Sequence, residues 1–393
     1  MSPLNKPDTT VADGIHAMVP REQMHPSARK LRDVYAMTPG APLFQKEFGY
    51  FCLDEWRKQG LDAQADLPRE FCFDEPATVN LGGLGWCEPG YWPFFEEKVL
   101  EVQGPYEIVQ DFAGRHVKCF AGRRSGFMPE YVDHVLKDRK TWEEQCLWRL
   151  DPEAPGRFDK LPQYMAVATA APRQGKLIVQ RIAGAGMYLR AMLGVENMML
   201  AFYDMPDVIH DAMRAWLKLA QAVTARHQQQ VTLDEVFFAE DICYNHGSLV
   251  SPSIFAEFFF PYYQELLKGI RARQLDPSRH LYVQVDTDGF CVPVIDLYHR
   301  AIGLDVMSPF EVASGCDVVE IGRQFPYLVM SGGIDKRVLA RGPKAIDEML
   351  DRILPVMRAR GGYTPTCDHG VPAEVTLANY RYYRQRALDL GSR

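Results

Sequence analysis

The chain has 393 residues, 47% of them apolar, with a formal net charge of −7 and a sequence pI of about 5.8. That is enough apolar material for a large core, and it excludes the dense Lys/Arg footprint of a nucleic-acid binder, for which Arg123-Arg124 is too short. Apolar runs such as Met198–Phe202 and Phe258–Phe260 fall far short of the roughly 20 residues of a membrane span, and the start of the chain lacks a basic-then-apolar signal layout.

Residues 1–28 read as a polar tail and 29–393 as one domain. Nine scattered cysteines, an odd number with no CxxC, argue against a disulfide scaffold and point to reduced thiols in a cytoplasmic protein. Before residue 170, candidate strands lie at Ala77–Leu81 and His116–Phe120, and 85–165 reads as an irregular insertion over the mouth of the domain. Beyond it a rhythm sets in. Lys176–Ile182 is strand-like and is followed by the glycine turn Gly184–Gly186 and a helix over about 207–229. Strand Glu235–Ile242 precedes a helix that starts near Ser251, where Ser-Pro supplies an N-cap and first turn. Strand and helix then alternate through His280–Asp286, Val292–Ala301, Leu304–Met307, Asp317–Gln324, Tyr327–Ser331, Lys344–Arg358, Tyr363–Thr366 and Ala373–Leu388. Short, apolar, non-alternating strands are those of a buried parallel sheet. The pattern predicts an α/β fold, a single (β/α)8 TIM-like barrel with N-terminal embellishments, two of whose strands come from before residue 170.

The strand ends carry the chemistry. One strand ends in Asp241, the next in Asp286-Thr287-Asp288-Gly289, and the later ones in Glu311, in Asp335-Lys336 and in His369-Gly370. Barrel enzymes gather catalytic groups at these C-terminal strand ends. Asp and Asn also cap helices and make turns, so a single acidic strand end carries little; five in register carry more. If the strand runs through Asp288, Asp286 and Asp288 share a face, and two carboxylates on one face call for a cation, a shared proton or a basic partner. The alternatives are a metal site, an acid–base pair, or a turn at Asp288-Gly289 with Asp286 capping an amide. Cys367 and His369 share an alternation face and are candidate ligands. His246 and Tyr244, in the loop after the Asp241 strand, are candidate acid and substrate contacts. Lys336 and Arg337 suit an anion or a helix-start salt bridge. Phosphate-loop, zinc-protease and nucleophile-elbow motifs are absent, and the glycines of NLGGLGW lack a dinucleotide-binding context.

The segments EDICYNHGSLVSPSIFAEFFFPYY, HLYVQVDTDG, MSGGIDKRVLARGP and GGYTPTCDHGVPAEVTLANY resemble, in order and spacing, the uroporphyrinogen decarboxylase superfamily over about 175–390. That resemblance implies a barrel that is often homodimeric, and either a cofactor-free decarboxylase or a corrinoid-linked methyltransferase that uses zinc. The decarboxylases carry an R-Q-A-G-R motif that grips the porphyrinogen carboxylates; this chain has VPREQMHPSARK instead. The methyltransferase branch is nearer. Its zinc ligands, His-x-Cys-Gly and Cys-Gly, correspond here to Asp286-x-Asp288-Gly289 and His369-Gly370, a harder donor set that suits zinc, manganese or iron(II).

The leading expectation is therefore methyl transfer or demethylation between a small methylated donor and a corrinoid carried on a partner protein. Asp286, Asp288 and His369 would hold a divalent metal, with Cys367 as a possible fourth ligand. Asp241, Glu311 and His246 would be catalytic, and Arg181, Tyr244 and Lys336 would contact substrate. The second expectation is a metal-free decarboxylase or lyase of a small non-porphyrin acid, with Asp286 and His369 as acid and base and Arg181 or Arg124 on a carboxylate. A binding protein for a tetrapyrrole is the non-enzymatic alternative.

Overall fold

The computed structural model describes residues 18–124 and 129–392. Residues 1–17 of the expected polar tail lie outside the described residues. Its remainder enters the short turn Arg21–Gln23 and the first residues of the helix Pro26–Tyr35.

Thirteen strands are present among the described residues. β1 (Thr78–Leu81) precedes a group of four: β2 (Lys98–Gln103), β3 (Tyr106–Gln110), β4 (His116–Phe120) and β5 (Glu130–Asp133). Then come β6 (Leu177–Ala183), β7 (Glu235–Ala239), the short pair β8 (Cys243–Tyr244) and β9 (Gly247–Ser248), β10 (Tyr282–Asp286), β11 (Val306–Ser308), β12 (Val329–Ser331) and β13 (Tyr363–Thr364). Seven of them form one curled parallel sheet in the order β1-β6-β7-β10-β11-β12-β13. All six strands expected after residue 175 are in it, in sequence order, with helices on the outer face.

The expectation of two barrel strands before residue 170 needs correction. Ala77–Leu81 does become β1, paired parallel with β6. His116–Phe120 is a strand of another sheet: it pairs antiparallel with β3 and β5 in a four-stranded meander. Its alternating burial suits a sheet with one face covered, whereas barrel strands are covered on both. The segment 85–165 is thus more regular than expected.

The eighth barrel position has no continuous ladder. The extended stretch 43–51 occupies the seam between β13 and β1. Tyr50 bridges Val371 in parallel, the Asp74 amide donates to the Gln45 carbonyl at 2.9 Å, and the Cys367 amide donates to Glu47 Oε1 at 2.8 Å. The C-terminal helix Leu377–Ser392 clamps this stretch. Tyr380 donates to Glu47 at 2.7 Å, Arg384 donates to Gln45 at 3.0 Å, and the Trp56 indole donates to the Val375 carbonyl at 2.7 Å.

The larger core lies between strands and outer helices, filled by side chains such as Ile178, Ile182, Val236, Phe238, Val283 and Val285 from the outward strand faces. A second, inner cluster joins Leu31 and Val34 of the helix Pro26–Tyr35 to Leu177, Val179, Tyr282, Val306 and Val329. That helix, capped by the His25 ring and started by Pro26, closes the N-terminal end of the barrel.

Candidate active site

The C-terminal strand ends open on a cavity of about 660 Å³ lined by Asp241, Asp286, Asp288 and His369 from the barrel. The insertion supplies Trp86, Cys87, Arg115, Tyr131 and His134, and the seam stretch supplies Phe48.

The local chain explains how these groups meet. The turn Gly184-Ala185-Gly186 lets the helix Ala185–Leu193 start directly against Glu240: a Cβ on Gly184 would lie 2.0 Å from Glu240 Oε2. Glu240 is fully buried. It accepts hydrogen bonds from the Gly186 amide at 2.9 Å and from the Tyr263 hydroxyl, and burial raises its pKa to about 7. The same helix carries Arg190, whose guanidinium pairs with Asp241. Asp241 itself has φ +42°, a left-handed conformation uncommon outside glycine and asparagine, and this turns its side chain off the strand line. Loop ties fix the neighbouring strand end. The amides of Glu240 and Asp241 donate to the Asp286 carbonyl at 2.8 and 3.2 Å, and those of Ile242 and Cys243 donate to Thr287 Oγ1 at 3.0 and 3.2 Å. Thr287 thus faces inward to the loop while Asp286, the last residue of β10, and Asp288, just beyond it, both line the cavity.

Glu311 stands behind this loop. It accepts from the Gly289 amide at 3.0 Å and lies 3.6 Å from Lys336, which also approaches Asp368 at 3.4 Å. Asp368, buried beside His369, accepts from the amides of Val312 and Lys336. Glu311 and Lys336 therefore hold the rim in place. Gly289, with φ +79°, is required because a Cβ there would meet the Tyr244 backbone at 2.7 Å.

The electrostatics single out the two adjacent carboxyls. Arg190 is matched to Asp241, Arg115 to Asp111, and Lys336 to Glu311 and Asp368. Among the described residues the Asp286 carboxyl accepts from the Ser308 hydroxyl and pairs with no cation, and the basic group nearest Asp288 is the His369 ring at 3.9 Å. Burial, aided by Asp241, Asp286 and Glu311, raises Asp288 to about 8; burial, then Asp241, raises Asp286 to about 6 against the Ser308 bond. Asp288 carries a proton at neutral pH. Burial and Lys336 lower the His369 pKa, so the imidazole is neutral there, held between Phe48 and Phe51 with ring centroids 4.9 and 5.8 Å away.

Not every expected site residue joins this group. Tyr244 and His246 sit on the exposed β8–β9 hairpin, edge to face with each other, outside the cavity lining. Cys367 is fully buried against Glu47, outside that lining. The irregular chain after β13 breaks the alternation that would have set it beside His369. Arg181 lies lower in the barrel, its guanidinium 4.8 Å from the Trp86 ring. Arg124 pairs with Glu107 in the meander. Arg190, Asp368, Phe48, Trp86 and Arg115 were not foreseen.

The donor set does not match the implied metal. No group of three or more His, Cys, Asp or Glu among the described residues is arranged to hold a metal ion. Asp286 is engaged by Ser308, and Asp288 and His369 stand 3.9 Å apart. The residues as placed do not fit a preassembled centre.

Fold and cavity define a TIM-like barrel with an acidic site at its C-terminal mouth. A family description, uroporphyrinogen decarboxylase (URO-D), matches residues 150–387, and the chain belongs to that family. A uroporphyrinogen decarboxylase of Pseudomonas savastanoi pv. phaseolicola is 29% identical over 181 residues, covering 45% of this chain and 47% of that protein. One from Ectopseudomonas mendocina is 27% identical over 194 residues, covering 48% and 50%. The chain spans about half the length of the curated relatives it matches. Among solved structures, a methyltransferase from Methanosarcina mazei superposes with a TM-score of 0.53 at 14% identity, over 93% of this chain and 98% of that one, which shows a shared fold. No helix among the described residues is long and apolar enough to cross a membrane.

Proposed function

We propose that the protein is an enzyme of acid-assisted methyl transfer. A small methylated donor binds in the mouth cavity, and Asp288 protonates the atom from which the methyl group departs. One arrangement carries this reading: a cavity carboxyl, Asp288, grouped with Asp286 and Asp241 so that its pKa is pushed up to about 8, with the His369 imidazole 3.9 Å away. A proton donor poised near working pH is what a poor oxygen or nitrogen leaving group needs. A corrinoid on a partner protein would supply the methyl acceptor. Asp286 and Asp241 set the local negative charge that keeps Asp288 protonated, Glu311 positions the Asp288 loop through the Gly289 amide, and Phe48, Trp86 and Tyr131 wall the donor from water. Supporting the branch, the VPREQMHPSARK segment lies at the opposite, N-terminal end of the barrel, away from the cavity. An acidic cavity also disfavours a substrate with many carboxylates.

The test mixes the purified protein with a panel of methyl ethers and methylamines and reduced cobalamin. Methylation of the corrinoid, followed by its visible spectrum, is expected with at least one donor and should be lost in Asp288→Asn. Decarboxylation of a small acid is the second reading, because the same proton can be delivered to the carbon that loses carbon dioxide. Carbon dioxide release without any corrinoid, together with an unchanged corrinoid spectrum, would replace the first reading by the second.

A further inference from the structure

A second chamber of about 440 Å³ lies inside the barrel, between the helix Pro26–Tyr35 below and the mouth above. Barrel interiors are normally filled by layers of bulky branched side chains. Here the polar Thr78, Asn80, Gln284, Ser331 and Thr364 share the interior with Val179, Val306 and Val329, and the space is left open. Lys46 and Asn80 keep accessible surface although protein surrounds Lys46, because that surface faces the chamber.

The charges in this chamber are unevenly partnered. Its carboxylates are engaged: Glu235 accepts from the Tyr35 hydroxyl, and Asp286, above, accepts from Ser308. Gln284 donates to Ser308 at 2.9 Å. The cations are held only at longer range: the charges of Glu235, Asp286 and Glu47 act on Lys46, and those of Glu235 and Asp286 on Arg181. Among the described residues neither the Lys46 ammonium nor the Arg181 guanidinium makes a hydrogen bond or an ion pair within 4.0 Å, and Arg181 Nε is buried without a partner. The Arg181 guanidinium lies 4.8 Å from the Trp86 ring and 5.9 Å from that of Phe237, and the two rings stack at 5.1 Å. That contact holds the guanidinium and leaves its edge for a planar anion. Enclosed cations without acceptors are costly, and a guanidinium paired with an ammonium is a natural cradle for a carboxylate.

We infer that this inner chamber is a binding site for the carboxylate of a small organic acid, held between Lys46 and Arg181 beneath the mouth cavity. The volume suits a compound of a few carbon atoms, and the apolar part of the lining, Val179, Val306 and Val329, would cover its chain. This inference does not depend on which reaction runs at the mouth.

The experiment titrates the full-length protein, without corrinoid or donor, with acetate, butyrate and succinate and with the matching neutral amides, by calorimetry. At least one carboxylate is expected to bind at least tenfold more tightly than its amide. Lys46→Met and Arg181→Met should each weaken it at least tenfold, while Arg190→Met, at the mouth, should leave it within twofold. A second measurement avoids variants: in the wild-type protein the bound carboxylate should slow reductive methylation of Lys46, read by peptide mass spectrometry. Equal affinity for acid and amide, binding insensitive to both chamber variants, or no protection of Lys46 would each overturn the inference. Because nothing turns over, a failure of the methyl-transfer reading leaves these outcomes untouched.

Discussion

At the scale of single residues, Asp288 decides how the site responds to pH. Its folded pKa is raised to about 8, so the acid form persists at neutral pH and is lost as pH rises through that value. The turnover rate should fall along a single-proton limb near pH 8. Asp288→Asn should remove the limb and lower kcat by about 10²–10⁴-fold, the usual contribution of a general acid; a pH–rate profile of both proteins checks this. Glu311 acts at one remove. Glu311→Ala frees the Gly289 amide and Lys336, and should shift the pH limb as well as the rate, since one of the charges that raises Asp288 is gone. A limb that moves toward lower pH supports that role; an unmoved limb rejects it. Part of this site was legible in the chain. Asp241, Asp286, Asp288 and His369 were readable because a strand end announces itself as a polar residue after an apolar run. Arg190 was not, because its partner Asp241 lies 51 positions away and nothing local marks the pair. Cys367 was misplaced because alternation was carried past the end of a two-residue strand.

At the scale of elements, the six later strands were readable from apolar runs at regular spacing, and tertiary pairing decided the rest. An alternating run such as His116–Phe120 says strand but does not name its partner, and the stretch 43–51 forms only isolated bridges, so no periodic pattern marks it. The helix Ala185–Leu193 was missed because it is buried almost all round, which erases the helical stripe; Val195–Asp204 was missed because Leu200 and Tyr203 are apolar on its exposed face and blur the stripe of Met198, Ala201 and Phe202. Close packing between strand ends gives a sharp test. Gly332 has φ +122°, and a Cβ there would lie 1.7 Å from the Pro309 carbonyl oxygen, a backbone atom that has no flexible end to move. Gly332→Ala should cost more than about 3 kcal/mol, in the range of severe core substitutions, measured by urea unfolding. Glu240→Leu should cost about 1–3 kcal/mol for each donor left unsatisfied, namely the Gly186 amide and the Tyr263 hydroxyl.

At the scale of the whole molecule, several buried carboxyls titrate together. Asp286 is raised to about 6, Glu235 and Glu240 to about 7, and Asp288 to about 8, in every case chiefly by burial. Each favours the protonated form in the folded state. Their contribution to stability is complete below the ordinary carboxylate range near pH 4 and declines as pH rises through their folded values. The melting temperature should therefore fall between pH 5 and pH 8.5, and Glu240→Gln should flatten the slope; a steeper slope in that variant would falsify the assignment.

The seam between β13 and β1 is held by partners far apart along the chain. Its filler, residues 43–51, is fastened by Cys367, Val371, Tyr380 and Arg384, each more than 300 positions from its partner. The barrel is a hoop whose clasp joins distant stretches, so its closing contacts carry the largest loop-closure cost of the fold. In pulse-labelling hydrogen exchange during refolding, the amides of Phe51, Cys367 and Val371 should accordingly gain protection last.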